Sequence, residues 1–211
     1  MDKKEYKFLK EILRTPSPSG YEDPVRKLWF DEMKTYSDKI TIDNTGNVIA
    51  SLNVGKKSKI MLAGHMDELG FQVSYVCDKG YIYFGTLGGF DVNIIAGRKV
   101  RIHTSKGDIT GVVGKKAIHL LDADERKKAT KLHQLYIDIG AKDKKETLKL
   151  IEIGDPITYD PTLEKLRNRL YVSRAFDDKI GAFIVAEVLK KVSEKKNKLK
   201  AELHSVATVQ E

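Results

Sequence analysis

The sequence predicts an α/β protein whose α/β part is interrupted by a β-barrel-like insert. Three observations predict it. Apolar residues fall at helical spacing over residues 4–14 and again after Asp23-Pro24, ahead of short apolar runs. From about residue 70 to 161 the texture changes to short strand-like pieces, many separated by glycine-containing turns. After GDPITYDP, helical spacing returns over 178–194 and another apolar run, LHSVATVQ, follows. The predicted division is therefore 1–69 with 162–211 as the α/β part, and 70–161 as the insert.

The elements follow in order. Tyr6, Leu9, Ile12 and Leu13 give the first helix one apolar face. TPSPSG reads as a loop. Asp23-Pro24 then supplies an N-cap and a proline at the first helical position, and Val25, Leu28, Trp29 and Met33 make the second helix's stripe. KITIDNTGNVIASL reads as a hairpin turning at Asn44–Asn47. KIMLAG, residues 59–64, reads as a strand buried on both faces. FQVSYV, YIYFGTL, KVRIHT, DITGVVG and LYIDIGA are the insert's strands, with short helices expected near 124–131 and 143–149. RLYVSRAF fits strand or loop, and DKIGAFIVAEVLKKVSE reads as an amphipathic helix. No internal repeat or low-complexity segment stands out.

Composition narrows the function classes. The 211 residues carry 41% hydrophobic content, ordinary for a globular protein. No apolar run approaches the ~18–20 residues of a membrane span, and MDKKEYKFLKEILRT has no signal-peptide core. The single Cys77 rules out an internal disulfide and fits a reducing cytoplasm. The formal net charge is +8, yet 30 acidic residues are mixed among 38 basic ones. The densest basic run, KKVSEKKNKLK, ends a predicted helix, where lysine complements the dipole, so nucleic acid is not the expected partner. Richness in Lys and Glu also fits a thermophile.

Three short stretches carry candidate chemistry. In GHMDELG, His65 stands where an apolar strand runs out, the usual ligand position in an open α/β sheet. Asp67, two residues on, projects to the same side and can fix the imidazole tautomer. In RAFDDKIG, Asp177 or Asp178 can cap the following helix or bind a divalent metal. Glu211 follows the last apolar run and is either a solvated end or a base. Each has a structural reading of its own: a surface strand end, a cap, a chain end. If the strands are neighbours, the three stretches meet in one crevice with the ingredients of metal-assisted hydrolysis.

At these residues the sequence resembles the glutamyl aminopeptidase and tetrahedral aminopeptidase family of two-metal exopeptidases, some members of which carry an endoglucanase label. The stretches that carry the resemblance are TPSPSGYE, IDNTGNVIA, AGHMDELGF, GVVGKKAIHLL, LYIDIGA, GDPITYDP, SRAFDDKIGAF and ATVQE, in order along essentially the whole chain. The resemblance implies a partial α/β metallo-exopeptidase domain, with His65 a metal ligand and Asp67 the acid that orients it. It implies Asp177 as the carboxylate bridging two metals, Asp178 as its neighbour across a cis peptide, and Glu211 as the general base. It implies two divalent ions (zinc, cobalt or manganese), peptide substrates, and an insert that pairs subunits in assemblies from dimer to dodecamer. In that family Gln-Glu is followed by a second Glu ligand, then another acid and histidine, none of which lies within these 211 residues.

Two ligands hold a metal weakly where three or four are normal. The expectation is therefore an aminopeptidase incomplete or inactive as this chain alone, with LHSVATVQ left uncovered. A second expectation is a non-catalytic assembly subunit of an aminopeptidase shell. Endoglucanase chemistry fits less well, because it needs two carboxylates about 5–9.5 Å apart and no metal, and only 8% of residues are aromatic.

Overall fold

The computed structural model describes residues 1–211, the side chain of Glu125 excepted. Helix α1 (Lys3–Arg14) starts at a capping box: Asp2 accepts from the amides of Lys4 and Glu5, and Glu5 accepts from the Asp2 amide. Helix α2 (Asp23–Met33) has proline in its first turn and buries Val25, Trp29 and Met33. Strands β1 (Lys39–Ile42) and β2 (Val48–Leu52) form the hairpin, whose turn is held by Asp43 accepting from the amides of Thr45, Gly46 and Asn47. Strand β3 (Lys59–His65) follows. Next come β4 (Gly70–Val76), β5 (Ile82–Leu87), β6 (Lys99–Thr104), β7 (Gly107–Lys115), β8 (Leu135–Asp138), helix α3 (Lys144–Leu150) and β9 (Pro156–Tyr159). The chain ends with β10 (Leu163–Lys165), β11 (Tyr171–Ser173), helix α4 (Phe176–Ser193) and β12 (Glu202–Thr208). It divides into two compact units, Met1–Glu68 with Pro161–Glu211, and Leu69–Asp160.

The first unit is a four-stranded mixed sheet, order β1-β2-β12-β3, with β12 antiparallel to β2 and parallel to β3. Its core joins Phe8, Ile12 and Leu13 of α1, Trp29 of α2, Ala182, Phe183 and Leu189 of α4, and Leu203 and Ala207 of β12. The indole of Trp29 donates to the Ala182 carbonyl at 3.0 Å, satisfying its one polar atom inside this core.

Two expectations are reversed here. The run LHSVATVQ was predicted to be uncovered, yet β12 is an interior strand and five of its seven residues are buried. KIMLAG was predicted to be buried on both faces, yet Ile60 is 48% and Met61 69% exposed. The cause is topological: β3 pairs with β12 alone and forms the sheet's edge. Hydropathy registers how apolar a run is, not which strand stands beside it.

The second unit is a closed six-stranded barrel, order β4-β5-β8-β7-β6-β9. Phe71, Val73, Ile82, Val100, Ile102, Val113, Ile137 and Ile157 fill it. Phe71 lies at its aromatic centre, with ring contacts to Phe84, Phe90 and Tyr159. Strand β9, inside GDPITYDP, escaped prediction because two prolines flank it; Pro156 occupies the first strand position, where no ladder donor is lost. The helix expected near 124–131 is instead a single 3-10 turn, Glu125–Lys127. Every described side chain from Asp122 to Ala129 is exposed, so nothing packs against a helix there to offset its nucleation cost.

Candidate metal centre

The parallel pairing of β3 and β12 puts His65 opposite Thr208, and the Met66 amide donates to the Thr208 carbonyl at 2.9 Å. The two strands thus run out side by side, and the segments after them stay together. Asp67 accepts from the Glu211 amide at 3.2 Å and from the Ser19 hydroxyl at 2.6 Å. Its carboxylate is buried and lies 3.3 Å from Nδ1 of His65, which is also 3.3 Å from the Asp67 carbonyl. Two donated hydrogen bonds therefore fix the Asp67 carboxylate, which faces the histidine from the Nδ1 side.

The third segment arrives through two glycines. A methyl group at Gly64 would overlap the Gly181 carbonyl carbon and the Ala182 nitrogen, and one at Gly181 would overlap the Asp178 carboxylate. The Gly64 overlap is with backbone, so glycine there lets α4 pass this close to β3, whereas the Gly181 overlap is with a side chain of α4 itself. The contact sets Asp177 next to the sheet end: its Oδ1 lies 3.4 Å from Nε2 of His65. The Asp177 side chain is otherwise 98% exposed. The peptide between Asp177 and Asp178 is cis.

The choice between capping and chemistry for the acid pair is divided between the two residues. Asp178 Oδ1 accepts from the Gly181 amide at 3.0 Å and caps α4. Neither Asp177 nor Asp178 has helical backbone angles, so the regular helix begins after them. Asp177 is left facing His65. Of the sequence-derived candidates, the structure brings His65, Asp67 and Asp177 together through side chains, and Glu211 through its backbone amide.

Four residues in this region were not singled out from the sequence. Ser19 sits in the TPSPSG loop and holds Asp67. Glu68, Arg174 and Lys179 form a buried ion cluster: Glu68 Oε1 accepts from Lys179 Nζ at 2.9 Å and from Arg174 Nη2 at 2.9 Å. Arg174 Nε lies 2.8 Å from Oε2, an ion-pair contact. The Lys179 side chain is 0% exposed, and burial pushes its ammonium down to about 8 against the pull of Glu68. The available signal was adjacency: Glu68 follows HMD directly, and Lys179 follows the acid pair.

The donor chemistry fits a divalent metal. Nδ1 faces the Asp67 oxygens and Nε2 faces Asp177 Oδ1, so with the proton on Nδ1 the Nε2 lone pair and the carboxylate oxygen would share one cation. Two bonds of about 2.1 Å at a tetrahedral angle hold their donors about 3.4 Å apart. The observed separation is 3.4 Å. Among the described residues, however, no three His, Cys, Asp or Glu side chains gather into a metal-binding group. A cavity of about 400 Å³, lined in part by Lys115, Lys116, Ile118, Leu121, Arg126 and Lys128, contains none of the site residues.

Comparison with known proteins bears on this arrangement. The sequence profile of M42 glutamyl aminopeptidases matches residues 46–211. The chain belongs to the M42 family. A lysyl aminopeptidase of Pyrococcus furiosus is 30% identical over 210 residues, 98% of this M42 chain and 59% of the relative. The crystal structure of a TET aminopeptidase from the marine sediment archaeon Thaumarchaeota archaeon SCGC AB-539-E09 superposes with a TM-score of 0.94 at 33% identity, covering 99% of this chain and 59% of that one. The Pyrococcus horikoshii TET1 peptidase, which can assemble into a tetrahedron or a large octahedral shell, matches with a TM-score of 0.86 at 30% identity, covering 98% and 61%. A Thermotoga maritima protein named an endoglucanase also matches, with a TM-score of 0.77 at 29% identity, covering 96% and 59%. The M42 chain thus spans about three fifths of the length of these relatives.

Proposed function

We propose that this chain supplies part of the active site of a metal-dependent aminopeptidase that removes N-terminal residues from peptides. The observation that carries this reading is the 3.4 Å spacing of His65 Nε2 and Asp177 Oδ1, with Asp67 behind the imidazole. His65 and Asp177 are metal donors, and Asp67 keeps the proton on Nδ1 so that Nε2 is free to bind. Bound divalent ions (zinc, cobalt or manganese) would polarise the scissile carbonyl and lower the pKa of bound water. Glu211, whose amide is held by Asp67, is assigned as the base that would accept a proton from that water. The remaining donors come from polypeptide beyond these 211 residues, in the same or a second chain; the three-fifths coverage of the relatives supports this.

The barrel unit is assigned to subunit pairing within a homo-oligomer, supported by the shell assemblies of the Pyrococcus horikoshii relative. A cytoplasmic location is assigned from the single Cys77. No helix among the described residues is long and apolar enough to cross a membrane. One observation favours a second reading, a non-catalytic assembly subunit: the barrel unit is closed and complete in itself within these residues.

The test is hydrolysis of aminoacyl p-nitroanilides by this chain with zinc, cobalt or manganese, alone and with a polypeptide supplying the remaining family length. The expected result is little activity alone, restored activity in the mixture, and loss on EDTA treatment. A mixture that stays inert with all three metals, while forming a defined oligomer in light scattering, favours the assembly subunit.

A further inference from the structure

We propose that Glu68 is a positioning residue: through Arg174 and Lys179 it pins both ends of the segment carrying Asp177, and so sets the spacing between Asp177 and His65. The inference deepens the two-donor reading above and takes its purpose from it. Asp177 is poorly held by its own contacts. The side chain is 98% exposed, and among the described residues its carboxylate meets no polar group but the His65 ring. An exposed carboxylate with one partner at 3.4 Å is not held by its own contacts. Its place is set by the backbone on either side.

That backbone is anchored from one point. Arg174 and Lys179 flank Asp177 in sequence, and both reach Glu68. Glu68 lies three residues after His65, and its amide donates to the Ser17 carbonyl while its carboxylate accepts from the Ser17 amide, each at 2.9 Å. The spokes continue to the end of α1: Lys179 Nζ donates to the Thr15 carbonyl at 2.6 Å, and Arg174 Nη1 to the Leu13 carbonyl at 3.3 Å. One carboxylate thus references the Asp177 segment to the exit of β3, where His65 sits.

A role confined to stability accounts poorly for this chemistry. Buried ion clusters cost desolvation that apolar packing avoids, and replacing them with neutral groups often leaves stability unchanged. Here two cations share one anion, with the Lys179 and Glu68 side chains 0% and 2% exposed. The guanidinium contributes two contacts to Glu68 and one to Leu13, a fork that lysine cannot reproduce.

Two variants of the full 211-residue chain test the proposal. Arg174→Lys keeps the charge and removes the fork. Glu68→Gln combined with Lys179→Met removes the hub without leaving a lysine charge unpaired. Three readouts are taken: 15N relaxation of the Asp177 and Asp178 amides without metal, Zn2+ affinity by calorimetry, and the urea midpoint. In the wild type these amides are expected at rigid-backbone order parameters near 0.85, falling below about 0.6 in both variants. Zn2+ affinity is expected to fall at least tenfold in both, with the urea midpoint of Arg174→Lys unchanged. Folded variants with rigid amides and wild-type Zn2+ affinity overturn the proposal. If the double variant does not fold, Arg174→Lys decides alone. A wild-type chain that binds no Zn2+ refutes the metal reading, and the metal-free order parameters still decide the positioning role.

Discussion

In the barrel, β4 pairs with β5 on one side and β9 on the other, so six strands close without a free edge. In the α/β unit, β3 pairs with β12 alone, and its other edge is open. Both units expose some apolar side chains, Tyr75 and Val112 on the barrel among them, so the difference lies in the strand edge. The barrel strands bury their inward residues, Phe71, Val73, Val100 and Ile102 among them. Strand β3 exposes Ile60 and Met61, and the neighbouring α4 exposes Ile184. Closure removes the edge hazard outright, whereas an open edge with apolar side chains is an invitation to pair. The candidate metal centre belongs to the unit with the open edge.

The largest expected effect breaks the closed unit. Phe71→Ala removes the ring that touches Phe84, Phe90 and Tyr159. It should cost about 3–5 kcal/mol of barrel stability. Urea denaturation followed by barrel amide signals measures this, and the His65 ring signals should stay in place in native conditions. A shifted His65 would mean that the site depends on barrel packing.

Next in size is Gly64→Ala. The added methyl overlaps backbone atoms of Gly181 and Ala182, which no side-chain rotation relieves. The expected cost is about 1–3 kcal/mol in the α/β unit, with displaced His65 and Asp177 signals and an unchanged barrel. An unchanged His65 spectrum would show that Gly64 does not set the site.

The two units should also differ in their pH response. In the barrel, hydrogen bonds from Arg101 and then Lys99 hold the Asp160 carboxyl below its ordinary 3.8 despite some burial. Because the folded value lies below the unfolded one, this contribution is present above about pH 4 and is lost as pH falls through the folded value. In the α/β unit, burial pulls the Lys190 ammonium down, but hydrogen bonds to Glu187 and Glu32 outweigh it and leave it above its ordinary 10.5. That contribution is complete below the unfolded value and is lost as pH rises through the folded one. Urea midpoints of Asp160→Asn and Lys190→Met across pH check both signs. The Asp160 variant should lose its difference from wild type in acid, the Lys190 variant in alkali.

The smallest effect on stability sharpens the comparison at the open edge. Met61→Lys replaces a residue 69% exposed and should change stability by less than about 0.5 kcal/mol. Light scattering should nevertheless show less self-association, because charge on an edge strand opposes pairing. A matching change on the barrel surface, Val112→Lys, should leave association where it was.

Much of this was legible in the sequence because it depends on local pattern. The stripe Val25, Leu28, Trp29 and Met33 pointed to α2, the stretch Asn44–Asn47 to the first turn, and short strand-like pieces spaced by glycine-containing turns to most barrel strands. His65, Asp67 and Asp177 could be picked out as residues just beyond apolar runs, and parallel pairing of β3 with β12 brought two of those runs out together. What local pattern does not carry is adjacency. The interior place of β12 and the edge place of β3 are decided by strand order, and the two runs look alike in hydropathy. The Glu68 cluster was hidden for a related reason: charged residues read as surface until a partner is known, and its partners lie more than one hundred residues away.

The most direct test is to follow the His65 ring nitrogens by NMR in a 15N-histidine-labelled chain while Zn2+ is added. The expected result is a saturating shift of the Nε2 signal, with Nδ1 retaining its proton, and loss of that response in Asp177→Asn. A His65 ring indifferent to excess Zn2+, or one that responds equally with and without the Asp177 carboxylate, would contradict the assignment of this pair as metal donors.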